Sequence, residues 1–171
     1  MARSKDGHKP PLQGKERRWW YNGMVVFERS KIMGLTYADI TLTNGIDAVL
    51  AQTGQMEIET VRKINATALV DSGAYLLTID ESIKNKLGLC VRELREIELA
   101  DGSCQECEIV GPVDLHFKNR STTCRALVLP GATEVLLGAI PMEDLDVLLD
   151  PKSQQLIVHP DRPYIAGTKV K

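Results

Sequence analysis

Cysteine is sparse in this chain of 171 residues, and no apolar run is long enough to cross a bilayer. The four cysteines, Cys90, Cys104, Cys107 and Cys124, lack the density of a secreted disulfide scaffold. A surplus of one charge sign is also missing. With 21 Lys and Arg against 23 Asp and Glu, the formal net charge is -2, which excludes a basic footprint for nucleic acid. The N-terminus is basic, but no apolar h-region follows, so no secretory signal is expected. These absences point to the cytoplasm and to partners other than nucleic acid or membrane. There the Asn65-Ala66-Thr67 and Asn119-Arg120-Ser121 triplets, which match the glycosylation pattern, carry no meaning. What is present is ordinary for a globular protein: a hydrophobic fraction of 43% and a length that can bury one core.

Residues 1–32 differ from the rest. The stretch to Arg18 is polar, with Lys, Arg, Pro and Gly, and cannot offset its own ordering entropy. Disorder or loose attachment is expected there, with Trp19-Trp20-Tyr21 resting on a domain surface. The domain proper is expected over 33–160, followed by a tail over 161–171. From residue 34 the chain is strand-rich. Leu35 to Thr43 has β-favouring composition, and Asn44-Gly45 offers turn chemistry. Met56 and Ile58 alternate with Glu57 and Glu59 as in a half-buried strand. Ala66 to Val70 reads as a buried strand. Asp80 to Leu87 reads as a helix, capped by Asp80 and ended by Gly88. Ile97 and Leu99 lead into Asp101-Gly102, a hairpin signal, and Cys104, Cys107 and Ile109 lie on the returning arm. Val113 to Phe117, Ala126 to Leu129, Val135 to Leu137, Val147 to Leu149 and Leu156 to Val158 read as further strands. A short helix is expected at Pro141 to Leu145. Many short strands with one or two short helices imply an all-β barrel or sandwich. A faint echo between Ala66–Ala74 and Ala132–Ala139 suggests two related halves.

Chemistry concentrates at Val70-Asp71-Ser72-Gly73-Ala74. A carboxylate follows directly on a buried strand, where an unpaired charge is costly. Gly73 allows a sharp turn and a close approach, and Ser72 adds a small hydroxyl. The bland alternative is an Asp that caps an ordinary turn.

The surroundings of the triplet favour the first of these. Ala66-Thr67-Ala68-Leu69-Val70-Asp71-Ser72-Gly73-Ala74-Tyr75-Leu76-Leu77-Thr78-Ile79, followed by the Asp80–Leu87 helix and Gly88-Leu89, resembles the catalytic segment of the retropepsin-like aspartic proteases. Val135-Leu136-Leu137-Gly138-Ala139 resembles the second signature of that family, an apolar triplet closed by Gly before a short helix. Ile97 to Ile109, with Ala100, Asp101, Gly102 and Ser103 at its tip, looks like the family's flap. The resemblance covers roughly residues 33–160, and the order and spacing of the motifs carry it. The commonest family triplet is Asp-Thr-Gly; Asp-Ser-Gly keeps the hydroxyl.

The resemblance implies a retropepsin-like closed barrel and an aspartic endopeptidase. Such chemistry needs two carboxylates sharing one proton, one as base toward water and one as acid toward the carbonyl oxygen. This chain has one matching triplet, so the second carboxylate is expected to be Asp71 of another copy across a two-fold axis. Ser72, Gly73 and Ala74 would support the loop, Leu136, Leu137 and Gly138 would form the second signature, and the flap would cover an extended polypeptide substrate. No cofactor and no metal are implied. Cys104 and Cys107 form a Cys-x-x-Cys, but Cys90, Cys124, His116 and His159 offer no second half of a zinc site. Residues three apart in a strand also face opposite ways. Two rival readings remain: a catalytically silent retropepsin-like module that dimerises or binds peptides, and a small all-β domain with an accidental triplet, an exposed Asp71 and no dimer.

Overall fold

The computed structural model describes residues 17–21, 24–28, 34–98 and 102–167. Contacts divide the chain into two units, Met1–Met33 and Gly34–Lys171. In the first, β1 (Arg17–Tyr21) pairs antiparallel with β2 (Met24–Glu28), and Trp19-Trp20-Tyr21 falls on β1. The expectation of disorder or loose attachment covers 1–32; of that stretch residues 1–16, 22–23 and 29–32 lie outside the described residues, as do 168–171 of the tail.

The second unit is an all-β closed barrel. In β3 (Tyr37–Asn44) side chains alternate across the sheet, so Ala38, Ile40, Leu42 and Asn44 point inward. Asn44-Gly45 is not a hairpin turn. The Asn44 side chain caps α1 (Gly45–Gln52), accepting from the amides of Ile46 and Asp47. Its Nδ2 donates to the carbonyl of Leu87 at 2.9 Å, so a buried polar group is satisfied at both ends. Met56 and Ile58 do not form a strand either. Ile58–Thr60 is a single 3-10 turn, and Ile58 is exposed.

β4 (Lys63–Val70), β5 (Leu77–Ile79), α2 (Glu81–Leu87) and β6 (Val91–Glu98) follow. Asp80 caps α2 by accepting from the Ile83 amide at 2.7 Å, and Gly88 ends it at φ 59°. β7 (Cys104–Phe117) is one long strand interrupted by a register shift at Gly111-Pro112. β8 (Arg120–Val128), β9 (Val135–Leu137), α3 (Ala139–Asp144), β10 (Val147–Asp150) and β11 (Gln155–Val158) complete the chain, the last two strands forming a separate hairpin.

Six strands close on themselves in the order β3-β4-β9-β5-β8-β7, with β7 returning to β3 through Thr41↔His116 to Asn44↔Val113. Closure removes the edges that an open sheet would expose. The core holds Ile40, Leu42, Leu77, Ile79, Leu87, Leu115, Leu137 and Leu145, each worth about 1.5–3 kcal/mol when fully buried. β6 stands outside the closed ring and pairs with the first half of β7, forming a two-stranded arm. Among the described residues no helix is long and apolar enough to cross a membrane.

Candidate active site

Val70, the last residue of β4, is buried, and its amide is held by the Thr36 carbonyl at 2.8 Å. The chain leaves the sheet at Asp71, whose amide donates to the Leu137 carbonyl of β9 at 3.1 Å. The carboxylate turns back on its own loop, with Oδ1 accepting from the Gly73 amide at 2.8 Å, an Asx turn. Ala74 N then bonds the Asp71 carbonyl at 3.2 Å. Among the described residues no other group is hydrogen-bonded to the carboxylate. Asp71 is half-buried, and Ser72 and Gly73 are exposed. The fold therefore holds the backbone firmly and, among the described residues, leaves one carboxylate oxygen uncommitted.

The loop continues against the start of α3. Ala139 N donates to the Ala74 carbonyl at 2.7 Å and Ile140 N to the Tyr75 carbonyl at 3.1 Å. Gly138 explains how the two segments come so close. A Cβ there would lie 2.4 Å from the Leu76 carbonyl oxygen and 2.8 Å from that of Ala74. Gly138, expected from the resemblance to be part of a second signature, is thus a packing requirement of the Asp71 loop. Leu137 is buried and supplies the carbonyl that anchors Asp71. Leu136 sits opposite Thr78 at the centre of the sheet.

That pairing also marks an approximate two-fold relation inside the chain. β4 runs parallel to β9 at Ala68↔Val135, as β8 runs parallel to β5 at Ala126↔Leu77. Asp71 N to Leu137 O is matched by Leu129 N to Ile79 O, and Ala74 N to Asp71 O by Ala132 N to Leu129 O. Lys84 N to Asp80 O is matched by Met142 N to Gly138 O. The two halves suggested by the sequence exist, but their register differs from the apparent echo. Ala66–Ala74 does not correspond to Ala132–Ala139; Asp71 corresponds to Leu129, Gly73 to Gly131 and Ala74 to Ala132. Similar apolar strings misled because the register is set by backbone hydrogen bonds.

Ala100 and Asp101 of the expected flap tip lie outside the described residues, while Gly102 and Ser103 are exposed. The arm beneath them is regular from Leu94↔Glu108 to Glu98↔Cys104. Cys104 is exposed and Cys107 buried, on opposite faces. All four cysteines are free thiols, and among the described residues no group of His, Cys, Asp or Glu is placed to hold a metal ion. Burial, with Asp114 and Asp144 nearby, pushes the Cys124 thiol up to about 12, so it stays protonated and is no nucleophile at neutral pH.

A broad depression of about 1190 Å³ is lined by Leu76, Cys124, Ile140, Pro141, Val147 and Leu148 among others. Leu76 belongs to the Asp71 loop, but Asp71, Ser72 and Gly73 do not line it. Two large exposed side chains beside the loop, Tyr75 and Ile140, were not singled out from the sequence. No protein-family model matches this chain, and no curated protein matches it in sequence.

Proposed function

We propose that this chain is an aspartic endopeptidase of retropepsin-like type that works as a homodimer. The observation that carries the reading is the contrast at the internal two-fold. Leu129 occupies the position equivalent to Asp71, so the fold's own repeat supplies no second carboxylate. A shared-proton dyad then requires Asp71 of a second copy, and the exposed Ser72-Gly73 loop suits close approach between copies. In the dyad one carboxylate removes a proton from water while the other, protonated, donates to the carbonyl oxygen of the scissile bond. Two carboxylates at close range cannot both ionise readily, which keeps the single proton in place. The β6–β7 arm would lie over a polypeptide held in extended form. No cofactor takes part. Four free thiols suit a reducing compartment such as the cytoplasm.

Purified protein incubated with a diverse peptide library tests this reading, with Asp71→Asn as the control. Cleavage by the wild type, lost in Asp71→Asn and falling in specific activity on dilution, supports it. Equal cleavage by both proteins would end it. Peptide binding without cleavage would favour the silent module.

A further inference from the structure

Among the described residues β6 is the terminal strand of the large sheet, bonded on one side to β7 and with no partner along its outer edge. Seven of its eight residues are exposed, including Val91 at 46% and Leu94 at 58%. A free edge is a template for another strand, and charged side chains normally blunt it. Here the order of the charges does the opposite.

The segment reads Val91-Arg92-Glu93-Leu94-Arg95-Glu96-Ile97, which is self-complementary when laid antiparallel on a second copy. Centred on Leu94, Glu93 meets Arg95, Arg92 meets Glu96, Val91 meets Ile97 and Leu94 meets its own counterpart. Each opposite-charge pair occurs twice. Neighbouring registers all bring like charges together: Arg95 on Arg95, Glu93 on Glu93, Arg92 on Arg95 or Glu93 on Glu96. A two-fold centred on a residue also satisfies the outward amides and carbonyls whichever alternate set they belong to. Arg92 stands at the register shift and already donates Nε to the Gly111 carbonyl, so the Glu93–Arg95 pairs and Leu94 are the stronger part of the match. Within one chain Glu93 pairs with Arg95 and Arg125 at an exposed surface, where such pairs exchange partners at little cost.

We propose that the β6 edge is a homotypic docking surface, taking β6 of a second copy antiparallel in the register centred on Leu94. The contact is independent of the Asp71 dyad. Because it covers only one strand edge it is weak and concentration-dependent. Together with a dyad dimer it would give species larger than a dimer; without one it would give a dimer.

Sedimentation of the full chain across a concentration series tests the surface. Arg95→Glu and Glu93→Arg, each alone, should weaken the association about tenfold or more, since two attractive pairs become repulsive. The two variants mixed, or the double swap Glu93→Arg with Arg95→Glu, should restore it. In a Cys90→Ser, Cys104→Ser background, Leu94→Cys should form an intermolecular disulfide, because facing Cα atoms in an antiparallel pair lie about 4.5–5.5 Å apart. Glu98→Cys should not, lying far from its own copy. Association unchanged by either charge variant, no rescue on mixing, a monomer at every concentration, or equal cross-linking at residues 94 and 98 would each overturn the proposal. None of these readouts uses cleavage, so they separate this surface from the Asp71 reading.

Discussion

The loops 71–76 and 129–134 are built alike and equipped differently. Each leaves a strand through an amide bonded to the facing half, at Leu137 for one and Ile79 for the other, and each closes with a bond from an alanine three residues on. One begins Asp71-Ser72-Gly73-Ala74 and the other Leu129-Pro130-Gly131-Ala132. The turn therefore forms without a carboxylate or a hydroxyl at its head. What the two loops share is the backbone hydrogen-bond pattern, which forms with Asp71 at the head of one and Leu129 at the head of the other. A second contrast sharpens this. Asp47 is 2% exposed and takes Nε and Nη2 of Arg62 at 2.6 and 2.7 Å, whereas among the described residues the Asp71 carboxylate bonds only within its own turn. One aspartate is held by the fold; the other is displayed by it.

The largest effects on stability should come from the equivalent core positions. Ile79→Ala and Leu137→Ala remove fully buried side chains from matching strands and should each cost about 2–5 kcal/mol in urea unfolding. A cost confined to one would break the symmetry. Gly138→Ala should follow, at about 1–3 kcal/mol or more, because its Cβ meets backbone at 2.4 Å. Its counterpart Asp80 is only a helix cap, and Asp80→Ala should cost about 1 kcal/mol.

The aspartate contrast has a pH signature. Hydrogen bonding from the Arg62 side chain holds the Asp47 carboxyl below its ordinary 3.8. The folded state thus binds fewer protons than the unfolded one in that range. Stability from Asp47 is present at neutral pH and lost as pH falls through the ordinary carboxylate range and below. Asp47→Asn should lower stability at pH 7 and flatten this acid limb, read by thermal melts from pH 7 to 2. Asp71→Asn keeps an acceptor for the Gly73 amide and should change stability at pH 7 by no more than about 0.5 kcal/mol, the smallest effect of the series.

Those contrasts also mark how much of the fold and the site was legible in the amino-acid sequence. The α2 helix was legible because Asp80 and Gly88 sit where a cap and a left-handed stop belong. The Asp71 loop was legible because a charge follows a buried strand. Asn44-Gly45 misled because the same residues serve a turn or a helix cap, and only the Leu87 carbonyl, distant in sequence, decides between them. Ile58 misled because two alternations are too few to define a strand. The role of Gly138 was hidden because it depends on the backbone of Leu76, brought near by the parallel pairing of β4 with β9.

The claim that two Asp71 carboxylates from two chains make one site is tested most directly by subunit mixing. Wild type and Asp71→Asn are combined in equal amounts, allowed to exchange, and assayed on a peptide the wild type cleaves. Mixed dimers carry one carboxylate and should be inactive, so activity should fall to about one quarter of that of the same total of wild type. Activity of one half would mean that each chain works alone, and would contradict the shared dyad.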